Sequence, residues 1–432
     1  MVLCCAAGCT SADDFIVNDH GHDYETRTLA LAPTLAMRTT GTDFLAAWVG
    51  DTVPDNLVQA VVTAQRTASA SGLPIDATDV AVSGAEAGYQ LVRASYSPVH
   101  DEYMVVWISS DLSIFAARMS AATGAVSSPV QIGTAPASAG LLVAYNSVDD
   151  EYLAVWGRTG RTSVVKGQRI DAATGLAVGP DDFTIPLELM PSGIAFNPTD
   201  DQYLMVQEYA PDQQIQIGVV YGVRVAGDGT IVDAAPLTLV PDGGVEVHGP
   251  VVSYAPELGR YLLVWSRGVR HCCLGSELRG QFLDHATLAT IGTPGFLVDQ
   301  IAAPSTPFTG AYAPQVTWDA GAGQFVVAFF GSDATGGQPP GSDDGHVEEV
   351  FVQRVAGADG AIACPNAFRV SDRNATTNVP DNRPEPGSPL ALGVAPSTGQ
   401  GVVLWRGTYT VVLPGFLDSD VYGDSFPRGC SQ

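Results

Sequence analysis

The chain has 432 residues, 46% of them apolar, and carries 20 Lys and Arg against 46 Asp and Glu. Such a chain can bury a sizeable core, which excludes disorder, and its net charge of −26 with no basic stretch argues against nucleic acid as a partner. The 47 Gly and 29 Pro, with only 15% charged residues, favour many turns over long surface helices.

The first nine residues, from Met1 to Cys9, resemble the end of a bacterial lipoprotein signal, in which small residues precede a cysteine that becomes lipidated. This resemblance implies that Cys9 is the first mature residue, that residues 1–12 are a signal remnant, and that the chain is exported to the cell envelope or secreted. The segment shows no positive n-region and hardly any apolar h-region, so an accidental likeness is the alternative. The one membrane contact that we expect is a lipid anchor at Cys9, because no later stretch approaches the roughly 18 apolar residues of a membrane span.

Four cysteines follow this segment without CxxC spacing: Cys272, Cys273, Cys364 and Cys430. An even number without zinc-ligand spacing indicates disulfides and an oxidising compartment. The vicinal pair Cys272 and Cys273 is one candidate bridge, and Cys364 with Cys430 is the other.

One template recurs seven times along the chain: an aromatic residue, six further residues, a second aromatic residue, three apolar residues and a Trp. Three copies are nearly identical and run from Tyr96 to Trp107, from Tyr145 to Trp156 and from Tyr254 to Trp265. The weaker copies start at Met37, Phe196, Trp318 and Val394. Because alternating apolar residues flank a Pro, Asp or Gly cluster of constant length, each copy predicts a β-hairpin with a fixed turn.

Each hairpin is followed by a third segment with a recurrent Arg or Phe and then by a short fourth segment. The third segments are marked by Arg66, Arg118, Arg169, Arg224, Phe282, Arg354 and Phe416. The fourth segments begin at Val80, Val130, Phe183, Leu237, Phe296 and Phe368. A polar residue that recurs inside a repeat is typical of a structural pair, so we expect the arginines to stabilise the repeat instead of binding a ligand.

Only six fourth segments lie downstream of a hairpin, and the seventh is found at the other end of the chain. Residues 13–17, Asp-Asp-Phe-Ile-Val, closely match residues 181–185, Asp-Asp-Phe-Thr-Ile. The pattern therefore predicts an all-β fold, a seven-bladed β-propeller with four antiparallel strands per blade, in which the segment near Phe15 closes the last blade. The segment around Phe426 is the alternative for that closure. We assign residues 13–432 to this single domain.

The second strands of the hairpins, such as Tyr103 to Trp107, resemble the Tyr-Leu-Val-Val-Trp strands of a broad group of bacterial extracellular β-propeller repeat proteins. The resemblance covers nearly all of residues 13–418 and implies the fold and an exported location. The group has no single activity, so the likeness implies no site residue.

A β-propeller has two faces, and the sequence distinguishes them. The loops between strands two and three share one face with the connections between blades, and here these loops vary in length, so we name it the variable face. The short hairpin turns share the opposite, constant face. Loops on a rigid scaffold usually carry function, so we expect the functional surface on the variable face. Five histidines map there: His20, His22, His248, His271 and His346.

Two kinds of metal site are candidates. His20 and His22, with Asp19 and Asp23 beside them, fit a transition metal, and a solvated linker is the alternative. Calcium is the candidate for an insert that carries Asp333, Asp343, Asp344, Glu348 and Glu349, and for the segment from Asp418 to Asp424. Neither segment has the full order of a calcium loop, so charged surface loops are the alternative for both.

The sequence contains no GxSxG, HExxH, GxGxxG or phosphate-loop motif. We therefore expect an exported, non-catalytic monomer that binds a protein or glycan partner through variable-face loops, or else packs structurally in an envelope assembly. The alternative is a carbohydrate-active enzyme, either a polysaccharide lyase or a glycosidase, with its site in the central funnel. In that case the candidates for acid/base catalysis are His248, His271, Tyr209 and Glu208.

Overall fold

The computed structural model consists of β-strands and one short 3-10 helix, Pro256–Leu258, in the part of the chain that it describes. The described residues are 15–16, 31–51, 60–84, 91–159, 164–209, 218–241, 243–268, 276–299, 310–331, 349–364, 367–371, 390–410 and 417–429. None of the helical segments among them has the length and apolar character that a membrane span requires.

The strands form seven four-stranded antiparallel sheets, which are the blades. Strand β1 (Phe15–Ile16) belongs to the last blade. Blade one contains β2 (Leu31–Met37), β3 (Asp43–Asp51), β4 (Ala60–Ala68) and β5 (Val80–Ala81). Blade two contains β6 (Leu91–Ser97), β7 (Glu102–Ile108), β8 (Ser113–Ser120) and β9 (Val130–Thr134). Blade three contains β10 (Ala139–Asn146), β11 (Glu151–Arg158), β12 (Val165–Asp171) and β13 (Ala177–Ile185).

Blades four to seven continue the same order along the chain. Blade four contains β14 (Gly193–Asn197), β15 (Gln202–Tyr209), β16 (Val219–Ala226) and β17 (Leu237–Val240). Blade five contains β18 (Val247–Ala255), β19 (Arg260–Arg267), β20 (Glu277–Asp284) and β21 (Thr290–Leu297). Blade six contains β22 (Ala311–Asp319), β23 (Gln324–Gly331), β24 (Glu349–Ala356) and β25 (Phe368–Arg369). Blade seven contains β26 (Ala391–Val394), β27 (Gly401–Thr410), β28 (Leu417–Phe426) and β1.

The first strands of the seven blades contact one another in a closed ring around the central channel, in the order β2, β6, β10, β14, β18, β22, β26 and back to β2. Strand β1 completes blade seven, because Phe15 pairs with Gly423 and Ile16 with Tyr422 of β28. The predicted seven-bladed β-propeller and its closure by the N-terminal strand are both confirmed. The alternative closure is wrong, because Phe426 lies in the third strand of the blade, opposite Gly401.

The seven-residue spacing of the template is the register of the first hairpin. Tyr96 lies opposite Tyr103, and their ring centroids are 5.3 Å apart. The other six template pairs are also direct cross-strand partners: Met37 with Phe44, Tyr145 with Tyr152, Phe196 with Tyr203, Tyr254 with Tyr261, Trp318 with Phe325 and Val394 with Gly401. Six of the seven turns place a residue with positive φ five positions after the first marker: Asp101, Asp150, Asp201, Gly259, Gly323 and Gly399. Aspartate and glycine tolerate this conformation, so the turn keeps one length.

The apolar core of the described residues is divided into seven clusters, each shared by two neighbouring blades. Second strands supply its largest side chains, including the fully buried Trp48, Trp107, Trp156 and Trp405. The Trp156 indole donates a hydrogen bond of 3.1 Å to the Thr134 carbonyl of the preceding blade. The template residues therefore hold adjacent blades together by burial of apolar surface.

The recurrent arginines of the third strands are structural, as expected. Each donates to a carboxylate: Arg66 to Asp76, Arg118 to Glu102, Arg169 to Glu151, Arg224 to Asp233 and Arg354 to Asp319. Other ion pairs join the hairpin turns of neighbouring blades on the constant face. Arg38 pairs with Asp101, and His285 Nδ1 lies 2.6 Å from Asp200 Oδ2. These two ion pairs thus connect neighbouring blades on the constant face.

Two predictions for blade seven are wrong. The segment from Asp418 to Asp424 lies within β28, so it is neither a calcium loop nor a surface loop. In blade one, the third-strand marker Arg66 lies opposite Leu45, the residue after the second template position. The equivalent residue of blade seven is Val402, and it lies opposite Ser425, so Ser425 takes the marker position there. Phe416 lies outside the described residues. The polar start of β28 lacks the apolar alternation of the other third strands, and no local rule sets the length of the preceding loop.

Candidate functional site

Strand ends of blades four and five meet on the variable face. The second strand of blade four, β15, ends there at Tyr209, and the first strand of blade five, β18, begins there at Val247. These two strands contact each other. Residues at these strand ends therefore share one part of the rim around the central channel.

His248 lies between two carboxylates at this rim. Its Nε2 atom is 3.1 Å from Oε2 of Glu246, and its Nδ1 atom is 3.8 Å from Oε2 of Glu208. The same Glu208 oxygen accepts a hydrogen bond of 2.6 Å from the Gly249 amide. We name Glu208, Glu246 and His248 the rim cluster. It links the second strand of one blade to the first strand of the next.

The local cause of this geometry is a β-bulge in β18. The register against β19 shifts between His248 and Val251, and Gly249 adopts a φ of 53°. Glycine adopts this conformation without steric cost, and a bulge redirects the backbone next to it. The bulge therefore turns the Gly249 amide towards Glu208 and brings the imidazole to the rim.

The rim cluster is open to solvent. The side chains of Glu208 and His248 are 37% and 30% exposed, whereas Glu246 is 15% exposed. Carboxylate oxygens accept hydrogen bonds, and an imidazole can donate or accept them. The cluster can therefore bind hydroxyl, amide or cationic groups of a ligand, and an imidazole near a carboxylate is also a chemically competent acid/base pair.

Tyr209 follows Glu208 in β15 and points to the opposite face of the strand. Its ring centroid is 5.5 Å from that of Tyr221 in β16. The negative charge of Glu188 raises the pKa of the Tyr209 hydroxyl, and the two side chains also form a hydrogen bond. Tyr209 and Tyr221 form a second group on the variable face, which we name the tyrosine pair, and Glu188 lies beside it.

A partly buried carboxyl group, that of Asp299, lies on the same face of blade five. Oδ1 of Asp299, just after β21, accepts a hydrogen bond of 2.9 Å from the Leu278 amide. Burial raises the pKa of Asp299 to about 7, and the negative charge of Glu277 acts in the same direction. Glu277 in turn pairs with Arg279 at 2.6 Å.

The structure brings together two of the four acid/base candidates, Glu208 and His248. Tyr209 is their neighbour in sequence but belongs to the tyrosine pair, and His271 lies outside the described residues. The other predicted site residues that lie outside the described part of the chain are Cys9, Cys272, Cys273, Cys430 and the histidine motif of residues 19–23. Most of the acidic insert also lies outside, and Glu349 begins β24 as a buried side chain. Among the described residues no group of three His, Cys, Asp or Glu could hold a metal ion.

Sequence reasoning missed three carboxyl groups of this region: Glu188, Glu246 and Asp299. A local signal existed for one of them. Glu246 and His248 are separated by one residue at a strand start, so alternation places both side chains on the same face. Glu188 and Asp299 have no such signal, because packing of the blades determines what surrounds them.

Comparisons with known proteins assign no family to the chain, because no family model and no curated protein matches it. The β-propeller domain of the Trilobed protease from Pyrococcus furiosus, which has an open velcro topology, is similar at 9% identity and a TM-score of 0.46, over 93% of this chain and 99% of that one. An α-L-arabinanase from Penicillium chrysogenum is similar at 14% identity and a TM-score of 0.47, over 97% and 99%. A chain of a mitotic checkpoint complex is similar at 9% identity and a TM-score of 0.45, over 98% of both chains. These neighbours include both a hydrolase and a component of a protein assembly, so they do not distinguish catalysis from binding.

Proposed function

We propose that the protein is an exported, non-catalytic β-propeller that binds a protein or glycan partner through its variable face. The observation that carries this proposal is the pairing of Tyr209 with Tyr221 beside Glu188, next to the open rim cluster. Tyrosine supplies a rigid apolar ring with a polar tip and loses little side-chain entropy on binding, which is why it is frequent at binding surfaces.

The distribution of polar contacts supports the same proposal. On the constant face, Arg38 and His285 are engaged with carboxylates of neighbouring blades. On the variable face, the carboxylates of the rim cluster remain partly exposed and able to accept further hydrogen bonds. The net charge of −26 favours a partner that is cationic or rich in hydroxyl groups over an anionic macromolecule.

A binding experiment with matched variants tests the proposal. We expect the double variant Tyr209→Ser, Tyr221→Ser to bind its glycan at least about tenfold more weakly on a glycan array, as is typical when interface anchors are lost. The control is Val99→Ser, Val148→Ser, which changes two exposed side chains in constant-face turns and should bind normally. If the control loses binding and the tyrosine variant does not, the assignment of the functional face is wrong.

A protein partner is tested by site-specific crosslinking. A photoreactive amino acid at position 209 should crosslink to a defined partner, whereas the same amino acid at position 99 should not. Crosslinking of one partner equally from both positions would contradict binding through the variable face. Export is tested separately by cell fractionation, where Cys9→Ala should release the protein from the membrane fraction.

The second candidate is a carbohydrate-active enzyme, in which His248 and Glu208, with 3.8 Å between Nδ1 and Oε2, would serve as the acid/base pair. A panel of polysaccharides is assayed for new reducing ends and for the ultraviolet absorbance of an unsaturated lyase product. We expect no turnover. Robust turnover that is lost in Glu208→Gln would overturn the non-catalytic proposal and establish the enzyme.

A further inference from the structure

Arg93 occupies an unusual place for a cation in this fold. It lies in β6, the first strand of blade two, which belongs to the inner ring. Its one hydrogen bond among the described residues is donated by Nη1 to the carbonyl of Val92, at 2.8 Å. The recurrent arginines of the third strands each contact a carboxylate, so Arg93 differs from them in having no acidic partner in the described part of the chain.

The backbone of β6 shows on which side the guanidinium lies. The Ala94 amide donates to Oγ1 of Thr34 in the neighbouring blade, at 3.4 Å, so it points away from β7. Backbone groups of an antiparallel strand alternate in direction, and residues two apart therefore point the same way. The Val92 carbonyl also points away from β7, towards the channel. The Arg93 guanidinium, which is bonded to this carbonyl, lies at the channel wall.

The environment of Arg93 is costly for a charge. The Arg93 side chain keeps partial contact with solvent, yet the protein atoms around it lower the pKa of its guanidinium to about 10, and no carboxylate of the described residues acts in the opposite direction. A desolvated cation without a counter-charge destabilises a protein unless an anion compensates it. Local violations of this kind concentrate at functional sites.

The channel wall also carries polar side chains that could contact a ligand. Ser95 lies two residues from Arg93 and shares its strand face. Ser253 in β18 and Gln315 in β22 belong to blades five and six, which lie across the ring from blade two. All three are partly exposed and form no side-chain hydrogen bond within the described residues. Because the first strands line the channel, these donors and acceptors are available inside it.

We propose that the central channel is a binding site for a small hydroxylated carboxylic acid, such as an acidic sugar, whose carboxylate pairs with Arg93 and whose hydroxyl groups contact Ser95, Ser253 and Gln315. The planar guanidinium matches a carboxylate in a two-pronged hydrogen bond. A single negative charge suits the site better than a phosphate dianion, because the net charge of −26 repels the more highly charged ligand more strongly.

The test uses sodium glucuronate as the probe, with glucose and acetate as comparisons, and measures binding by calorimetry and by the shift in melting temperature. We expect glucuronate to bind and to raise the melting temperature of the wild type, as a ligand specific to the native state does. Arg93→Met should weaken glucuronate binding at least tenfold. Its melting temperature without ligand should equal or exceed that of the wild type, which shows that the variant is folded. Arg118→Met, which removes an arginine of the same charge outside the first-strand ring, should bind glucuronate normally.

Two results would overturn the proposal. Equal glucuronate binding by the wild type and Arg93→Met would show that Arg93 does not hold the carboxylate. Acetate binding as tight as glucuronate binding would show that the ligand hydroxyls make no contact. The site is separate from the tyrosine pair, so Tyr209→Ser, Tyr221→Ser should leave glucuronate binding intact and Arg93→Met should leave partner binding intact.

Discussion

Individual carboxyl groups of this protein differ in how their charge is compensated. Asp233 accepts hydrogen bonds from the Arg224 side chain and amide, which lower the pKa of this carboxyl against the effect of burial. Asp299 is partly buried, and its hydrogen bond comes from the neutral amide of Leu278. The result is an acid whose pKa is raised to about 7. Its contribution to stability therefore changes within the physiological pH range.

We expect Asp299→Asn to stabilise the protein more at pH 8 than at pH 5. The native pKa of Asp299 lies above its ordinary value of 3.8, so the native state binds the proton more tightly than the unfolded state between these values. Stability due to this group is fully present below pH 3.8 and is lost progressively as pH rises from there through about 7. Each unit of pKa difference corresponds to about 1.4 kcal/mol. Melting temperatures of both proteins at the two pH values measure the effect, and an equal difference at pH 5 and pH 8 would contradict it.

At the scale of the elements, the first hairpin of each blade keeps one turn length, whereas the outer strands differ in length from blade to blade. The first strands of the blades have four to nine residues and the second strands have seven to ten, with buried aromatic residues between them, whereas β1, β5 and β25 have two residues each. Close packing between blades compensates for the short outer strands. Gly133 of β9 shows how tight it is, because an added Cβ would lie 2.7 Å from the Trp156 ring of the next blade.

Gly133→Ala should therefore destabilise the protein by about 1–3 kcal/mol, the usual cost of overpacking a core. The rigid indole ring of Trp156 cannot move away without disturbing the interface between blades two and three. Gly84→Ala is the control, because an added Cβ at that position meets no atom within 4 Å. Chemical denaturation measures both variants. Equal stability of Gly133→Ala and the wild type would mean that the interface between these blades is looser than described.

At the scale of the whole molecule, two connections join the ends of the chain to the ring. Strand β1 covers the edge of β28. The residues after β28 return to blade six, where the Pro427 carbonyl accepts a hydrogen bond of 3.1 Å from Arg354 and the Arg428 guanidinium donates to Asp319 at 3.1 Å. Closure of the ring therefore depends on residues that are far apart in sequence.

Deletion of residues 1–17 should lower the melting temperature by several degrees and cause self-association. It removes the pairing of Phe15 and Ile16 and exposes the edge of β28, and exposed strand edges pair with other chains. Deletion of residues 1–12 is the control and should leave both properties unchanged. Calorimetry and light scattering after size-exclusion chromatography measure them. A monomeric protein of unchanged stability after the longer deletion would show that β1 is dispensable for closure.

Cys364 is expected to form a disulfide with Cys430 that fastens the C-terminal segment to blade six. Cys364 is fully buried and is a disulfide cysteine, and the amide of its neighbour Ala363 bonds to the carbonyl of Arg354, whose side chain contacts Pro427. Peptide mapping without reductant identifies the partner. Reduction should cost about 2–4 kcal/mol of unfolding free energy. A bridge from Cys364 to any other cysteine would refute this pairing.

Much of the fold was predictable because its signals are local. The spacing between Tyr96 and Tyr103 is the register of a hairpin whose turn allows one length, and period-two alternation follows from strand geometry. The match between residues 13–17 and 181–185 identified the closing strand because both segments are the outer strand of a blade. The third strand of blade seven was misplaced because β28 lacks that local pattern.

The amino-acid sequence alone was sufficient to establish seven blades, their strand order and the terminus that closes the ring, since each is encoded by residues within one hairpin or by similarity between segments. The contacts between polar side chains, in contrast, depend on how the blades pack in the assembled ring. His248 reaches Glu208 because a bulge at Gly249 lies against the adjacent blade, and Arg93 faces the channel because its strand is an inner edge. Such contacts join residues that are distant along the chain, and they depend on the packing angle between blades, which no local pattern of residues records.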